Sequence, residues 1–176
     1  MDKRPGAVKF KGNPLTLVGP ALRTGDKAPD FKCADSAAST VSLADTGAKA
    51  RLFNVVPSLD TPVCSIQTRK FDKEIAALGD KVACYTVSLD LPFAQARFCG
   101  DSANPIKSIK SLSDTHNQSF GQNWGVLIEG LAVPLLTRSV FVVDKGGSIA
   151  YLEIVPEVTS EPNYDAAMTA LKKAAG

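Results

Sequence analysis

Metal-binding side chains are scarce in this sequence. It holds four cysteines, Cys33, Cys64, Cys84 and Cys99, no two of them in a C-x-x-C pair, and one histidine, His116. A zinc site gathers four N or S ligands, so no metal centre is expected. The missing C-x-x-C also argues against an ordinary thioredoxin-type disulfide oxidoreductase. Charge of one sign is lacking too: 20 Lys and Arg stand against 18 Asp and Glu, and the basic residues are scattered. Nucleic acid is therefore not an expected partner. No apolar run is long enough to cross a bilayer, and the opening MDKRPGAVKF carries charges where a signal peptide needs an apolar stretch. No membrane association is expected, and the expected compartment is the reducing cytoplasm. Cysteines there are catalytic, metal-bound or buried as small hydrophobes rather than joined in permanent bridges. Internal repeats, low-complexity tracts and linkers are absent as well, so residues 1–176 are expected to form one domain. A chain of this length buries about 70% of its unfolded surface and needs no disulfide staple.

What is present alternates between β and α patterns. The stretch KFKGNPLTLVG reads as a hairpin around Gly12-Asn13-Pro14, and Phe31 to Cys33 and Thr40 to Leu43 as short extended pieces. Arg51 to Val56 is an apolar run stopped by Pro57. Thr61-Pro62 then opens a helical pattern carrying Ile66, Phe71, Ile75 and Leu78 up to Gly79. Val82 to Leu89 predicts a buried strand, Pro92 to Phe98 a short helix, Ile109 to Leu112 a strand, and Asn117 to Trp124 a helix ended by Gly125. Two strands, Ser139 to Val143 and Ile149 to Val155, flank a turn at Asp144-Lys145-Gly146-Gly147, and Tyr164 to Lys173 is an amphipathic last helix. Parallel βαβ units followed by a hairpin and a helix describe an α/β fold: a mixed central sheet with helices on both faces and an added N-terminal β-hairpin. That is the thioredoxin-like arrangement.

Cys64 stands out by position. With Thr61 as N-cap, Pro62 is the first helical residue, where its missing amide costs nothing, and Cys64 is the third. The sulfur then lies among orphan N–H donors at the positive end of the helix dipole, surroundings that favour thiolate over thiol. Position alone leaves two readings: a reactive thiolate, or a small apolar residue in the first turn of a core helix.

The surrounding words bear on that choice. Pro57-Ser58-Leu59-Asp60-Thr61-Pro62-Val63-Cys64 fits a P-x-x-x-T-x-x-C pattern, and Phe93-Ala94-Gln95-Ala96-Arg97-Phe98-Cys99-Gly100 supplies a second cysteine segment. Further matching segments are KFKGNPLTL, Ser113-Asp114, Trp124-Gly125-Val126, Arg138-Ser139-Val140-Phe141-Val142 and Glu161-Pro162-Asn163-Tyr164. On these, spread over nearly the whole chain, the sequence resembles the peroxiredoxins, in particular the bacterial-type thiol peroxidases of the atypical two-cysteine kind. The resemblance implies that Cys64 is the peroxidatic nucleophile and Cys99 the resolving cysteine of the same chain. It implies that Pro57 shields the site, that the Thr61 hydroxyl bonds the thiolate and then the peroxide, and that Arg138 supplies positive charge beside the sulfur. It further implies a homodimer and no bound cofactor. The expected activity is reduction of hydrogen peroxide and organic hydroperoxides through a sulfenic acid and an intrachain disulfide, with thioredoxin as external reductant. A peroxide-responsive sensor or adaptor using the same cysteine pair is the alternative. His116 and Trp124 stand where the family has Arg and Tyr, near the surface such proteins use for dimer contacts.

Among the other candidates, Cys84 sits mid-strand as a small apolar filler, and Cys33 lies near a chain bend with no charged motif beyond Lys32. His116, beside Asp114 and Asn117, reads as a solvated surface residue, since a base is redundant for a thiol already ionised. Trp124 and the phenylalanines read as core or as an apolar approach to the site.

Overall fold

The most apolar segments of the chain become adjoining central strands, as burial on both faces requires. The computed structural model describes residues 1–176. Its strands are β1 (Lys3–Phe10), β2 (Asn13–Val18), β3 (Lys32–Ala34), β4 (Thr40–Ser42), β5 (Ala50–Val55), β6 (Val82–Ser88), β7 (Ile109–Ser113), β8 (Leu127–Glu129), β9 (Leu135–Leu136), β10 (Ser139–Val143) and β11 (Ile149–Ile154). The helices are α1 (Pro62–Ile75), α2 (Pro92–Cys99), α3 (Ser119–Asn123) and α4 (Tyr164–Ala175). None is long and apolar enough to cross a membrane.

Seven strands form a mixed sheet in the order β11-β10-β5-β6-β7-β3-β4. The pairs β5–β6 and β6–β7 are parallel, and β10 runs antiparallel to both β5 and β11. Every residue of β5 and β10 is buried. Side chains alternate in direction along these strands. Leu52, Cys84, Val140 and Val142 meet Phe71 and Ile75 of α1 and Met168 and Leu171 of α4 on one face. On the other, Phe53, Val87, Phe141 and Val143 pack with Phe31, Phe120 of α3 and Trp124. The expected layers, helices on both faces of a mixed sheet, are those observed.

Several details differ from the sequence reading. Ile66 is 53% exposed, and the buried stripe of α1 is Cys64, Gln67, Thr68, Phe71 and Ile75. Two polar residues occupy that stripe, which hid its true direction. The helix expected to reach Leu78 ends at Ile75 and continues as 3-10 turns over Ala76–Lys81, with Gly79 at φ 50° and ψ −133°. The N-terminal turn is Lys11-Gly12, both at positive φ, which pairs Phe10 with Asn13 and places Asn13 and Pro14 in β2. The hairpin is also larger than expected: β8 and β9, too short to be read from the sequence, extend it into a second sheet, β1-β2-β8-β9. Gly125 permits the close packing beside this sheet, since a Cβ there would lie 2.0 Å from Pro20 O at a φ of +67°. Trp124 is 1% exposed, stacked on Phe120 with centroids 4.6 Å apart, and donates from Nε1 to Pro29 O. It is a core residue, one of the two readings its sequence position allowed.

The second sheet is tied to the C-terminal part of the chain. Lys9 N donates to Pro156 O at 2.7 Å and Val158 N to Lys9 O at 2.8 Å. The Glu157 carboxylate accepts from the amides of Lys11 and Gly12 at the hairpin turn. Backbone donors thus hold Glu157 well below the usual carboxylate range, at about 2.

Candidate active site

The loop leaving β5 is shaped by Asp90, just beyond β6. Its carboxylate accepts from Ser58 Oγ at 2.7 Å, Leu59 N at 2.8 Å and Ser88 Oγ at 2.7 Å. Pro57 is buried in this loop and Thr61 exposed at its end. Thr61 takes the extended N-cap conformation, with Pro62 at the first position of α1, as the sequence predicts. Its hydroxyl, however, donates to Ser58 O at 2.8 Å and makes no capping bond. The first paired amide of α1 is Ser65 N, to Thr61 O. The amides of Val63 and Cys64 precede it among the orphan donors of the helix start.

Cys64 is buried in a small cluster with Val56 and Leu59, and Phe98 packs against that cluster. Arg138, which precedes β10, reaches it: Nη2 lies 3.4 Å from Cys64 Sγ. Nε donates to Val158 O at 2.8 Å and Nη1 to Gln67 Oε1 at 2.7 Å. Gln67 Nε2 in turn donates to Asn54 Oδ1, whose amide serves Thr68 and Thr86. The guanidinium is 2% exposed, and none of the three salt bridges of the chain involves it. A buried cation without a carboxylate carries a desolvation cost of several kcal/mol unless an anion is supplied. The ionisable side chain it touches is that of Cys64, whose sulfur accepts from Nη2.

Beside Arg138 opens a cavity of about 450 Å³, with Cys64 buried behind its lining rather than part of it. Pro57, Thr61 and Arg138 line it with Leu15, Ile128, Leu131 and Leu135, so the second sheet forms its apolar wall. The structure therefore gathers Pro57, Thr61, Cys64 and Arg138 at one place. Cys99 lies apart from the cavity lining, half-buried at the end of α2, and all four cysteines are free thiols. Burial pushes the Cys99 thiol up, and a hydrogen bond with Ser111 opposes this.

Cys84 is a core filler in the sheet, its thiol pushed up to about 12 by burial. Cys33, next to the bend over residues 35–38, is a core residue as expected. It lies in β3 and donates to buried Asp114 at 3.6 Å, and burial beside this acid raises its thiol far out of the reactive range. His116 is exposed on the turn between β7 and α3. No three His, Cys, Asp or Glu side chains converge as metal ligands would. Asn54, Gln67 and Asp90 escaped the sequence reading. Gln67 had a readable signal, since it follows Cys64 by three positions and shares its helix face.

A family model described as Redoxin matches residues 23–168. The thiol peroxidase of Bacillus subtilis is 49% identical over 165 residues, which cover 94% of this chain and 96% of the relative. The chain belongs to the redoxin family, among its thiol peroxidases. Among solved structures, a peroxiredoxin-like protein from Aquifex aeolicus is 39% identical with a TM-score of 0.88, over 96% of this chain and 97% of that one. The thiol peroxidase from Chromobacterium violaceum, at 19% identity, shares the fold with a TM-score of 0.83 over 94% and 95% of the two chains. The thioredoxin-like fold of this redoxin is thereby established, and the sensor reading is not favoured beside relatives named as enzymes.

Proposed function

We infer that this thiol peroxidase reduces hydroperoxides at Cys64 and closes its cycle through Cys99. The observation that carries the reading is the buried guanidinium of Arg138, free of any carboxylate, which lines the apolar cavity and lies 3.4 Å from Cys64 Sγ. The Cys64 thiolate attacks one peroxide oxygen. A sulfur–oxygen bond forms, the O–O bond breaks, and the other oxygen departs with a proton as alcohol or water. Sulfur is oxidised by two electrons to sulfenic acid as the peroxide is reduced. Arg138 and the amides at the start of α1 stabilise the anionic sulfur and the charge developing on oxygen, the kind of preorganised stabilisation that dominates such rates. Thr61, whose proton is held by Ser58 O in the resting site, offers an oxygen at the cavity rim and can turn its hydroxyl toward a peroxide. Pro57, buried in the loop and lining the cavity, shields the site.

The apolar wall supports organic hydroperoxides with a hydrocarbon group as favoured substrates, with hydrogen peroxide as the smaller alternative. Cys99 then forms an intrachain disulfide with Cys64, which an external dithiol such as thioredoxin opens by exchange. That chemistry suits the reducing cytoplasm. Exposed Ile66, Leu91, Phe93 and Val133, each more than half exposed, support a homodimer. No step calls for a bound cofactor. Turnover coupled to thioredoxin and its reductase is the test. Cys64→Ser is expected to abolish it, and Cys99→Ser to react once and accumulate sulfenic acid. Activity in Cys64→Ser, or full turnover in Cys99→Ser, would refute the assignment.

A further inference from the structure

Arg69, on α1 five residues after Cys64, binds the segment around Cys99 at three points. Its Cζ lies 4.6 Å from the centroid of the Phe98 ring. One terminal nitrogen donates to Asn104 O, and the other pairs with Asp101 at 3.2 Å. Three residues further along α1, Asp72 accepts from the amides of Lys107, Ser108 and Ile109 at 2.6 to 3.2 Å. Two side chains of α1 therefore fasten the chain from Phe98 to Ile109. The Arg97–Asp60 pair nearby is 73% and 63% exposed and contributes little by comparison.

Phe98 links this fastening to the nucleophile, since it packs against the cluster that holds Cys64 while Arg69 lies over its ring. A disulfide needs the two sulfurs about 2.05 Å apart. Cys64 is fully buried beneath its neighbours, so Phe98 and the end of α2 have to leave before Cys99 reaches it. Leaving breaks the contacts of Arg69.

We propose that Arg69 is a positioning residue that holds the resolving segment folded in the thiol form and thereby limits the rate at which the Cys64 sulfenic acid becomes a disulfide. The proposal rests on the assignment of Cys64 and Cys99 given above. In the step concerned, the Cys99 sulfur attacks the sulfenic sulfur, an S–S bond forms and the S–O bond breaks. The departing hydroxide takes the Cys99 proton as water, so no outside oxidant or reductant enters. Holding the segment folded lengthens the life of the sulfenic acid and exposes it to a second peroxide, which would carry it to sulfinic acid. Arg69 thus sets the peroxide concentration at which the enzyme inactivates itself.

The test follows both steps in pre-reduced enzyme given one equivalent of cumene hydroperoxide, with acid quench and mass spectrometry of the sulfenic adduct and the disulfide. In Arg69→Met, sulfenic acid formation is expected to stay at the wild-type rate. Disulfide formation is expected to accelerate about five- to tenfold, the scale of one part-buried ion pair and one cation–π contact. Arg69→Lys, which keeps the charge without the planar fork, falls between, and the peroxide dose that overoxidises half of Cys64 rises by the same factor as the rate. Asp101→Asn, which leaves Arg69 in place, gives the same direction at about two- to threefold and carries the test if Arg69→Met does not fold. An unchanged disulfide phase overturns the proposal. So does a slower one, because the arginine charge favours the Cys99 thiolate and its loss through that route retards the attack. Peptide mapping of oxidised wild type separates the two levels. A bridge that does not join Cys64 to Cys99 removes the underlying assignment, whereas a Cys64–Cys99 bridge formed equally fast in all variants removes only the role of Arg69.

Discussion

Replacing Arg138 by alanine separates catalysis from stability. The guanidinium serves three acceptors, Val158 O, Gln67 Oε1 and Cys64 Sγ, from a position 2% exposed. Its removal takes away the positive charge facing both the thiolate and the departing oxygen. Losing two or three charge-assisted contacts in the transition state costs on the order of 3 kcal/mol, about a hundredfold in the second-order rate. Stability responds to opposing effects. Val158 O and Gln67 Oε1 lose their donor, at roughly 1 to 3 kcal/mol for each buried acceptor left unpaired. Against this, the chain no longer buries a cation that lacks a carboxylate, which relieves a penalty of comparable size. The midpoint of urea unfolding is therefore expected to move by less than about 2 kcal/mol in free energy. Arg138→Lys keeps the charge but cannot serve three acceptors at once, and a loss of about tenfold is expected. Rapid-mixing measurement of peroxide consumption by pre-reduced protein gives the rates, and circular dichroism the unfolding curves. An Arg138→Ala protein that reacts at the wild-type rate, or one that loses activity only because it no longer unfolds cooperatively, would refute the reasoning.

Two further outcomes follow from groups outside the nucleophile segment. Glu157→Gln weakens the tie to the hairpin turn and loosens the apolar wall, so KM for cumene hydroperoxide should rise severalfold while the rate with hydrogen peroxide holds; equal effects on both substrates would remove the wall from substrate choice. Since Glu157 sits at about 2 against an ordinary 4.5, its tie is intact above the ordinary value and is lost only as pH falls through about 2. Asp114, fully buried, is displaced in the opposite direction: burial raises its carboxyl above the ordinary 3.8 despite the amides of Phe120 and Gly121. The fold then favours the protonated acid, and the stability it contributes is present at low pH and lost as pH rises through the raised value. Urea unfolding followed as pH falls toward the ordinary 3.8 should show wild type gaining on Asp114→Asn, and a gap that stays constant or narrows would contradict this.

The parts of the site legible in the sequence are those fixed by local chemistry. Pro62 after Thr61 marks a helix start, and the same two residues place the cysteine two positions on among the amides of that start, although position alone left a core reading open beside the reactive one. The central strands were legible for a similar reason, since RLFNVV and SVFVV have little alternative to burial. What escaped depends on distant partners. Ile66 followed the apolar pattern, but the polar partners of Gln67 and Thr68 lie on β5, β6 and before β10, and they turned the buried face of α1 toward those strands. Strands β8 and β9 draw their structure from pairing with β2 and with each other rather than from their own few residues. The Thr61 hydroxyl could not be placed because its partner, Ser58 O, depends on a loop shaped by Asp90.

Val158 gives its N–H to the N-terminal hairpin and its carbonyl to Arg138, so one residue near the end of the chain is shared by the first strand and the reactive centre. On the ribosome this orders events in time. At about 5 to 20 residues per second, Cys64 is synthesised roughly 5 to 20 s before Val158. Throughout that interval the hairpin has no seat, and Arg138, once made, has no carbonyl to fix its fork. A nascent chain therefore carries Cys64 without a fixed Arg138 beside it until translation is nearly complete. The enzyme gains its vulnerability to peroxide only when it can also use it.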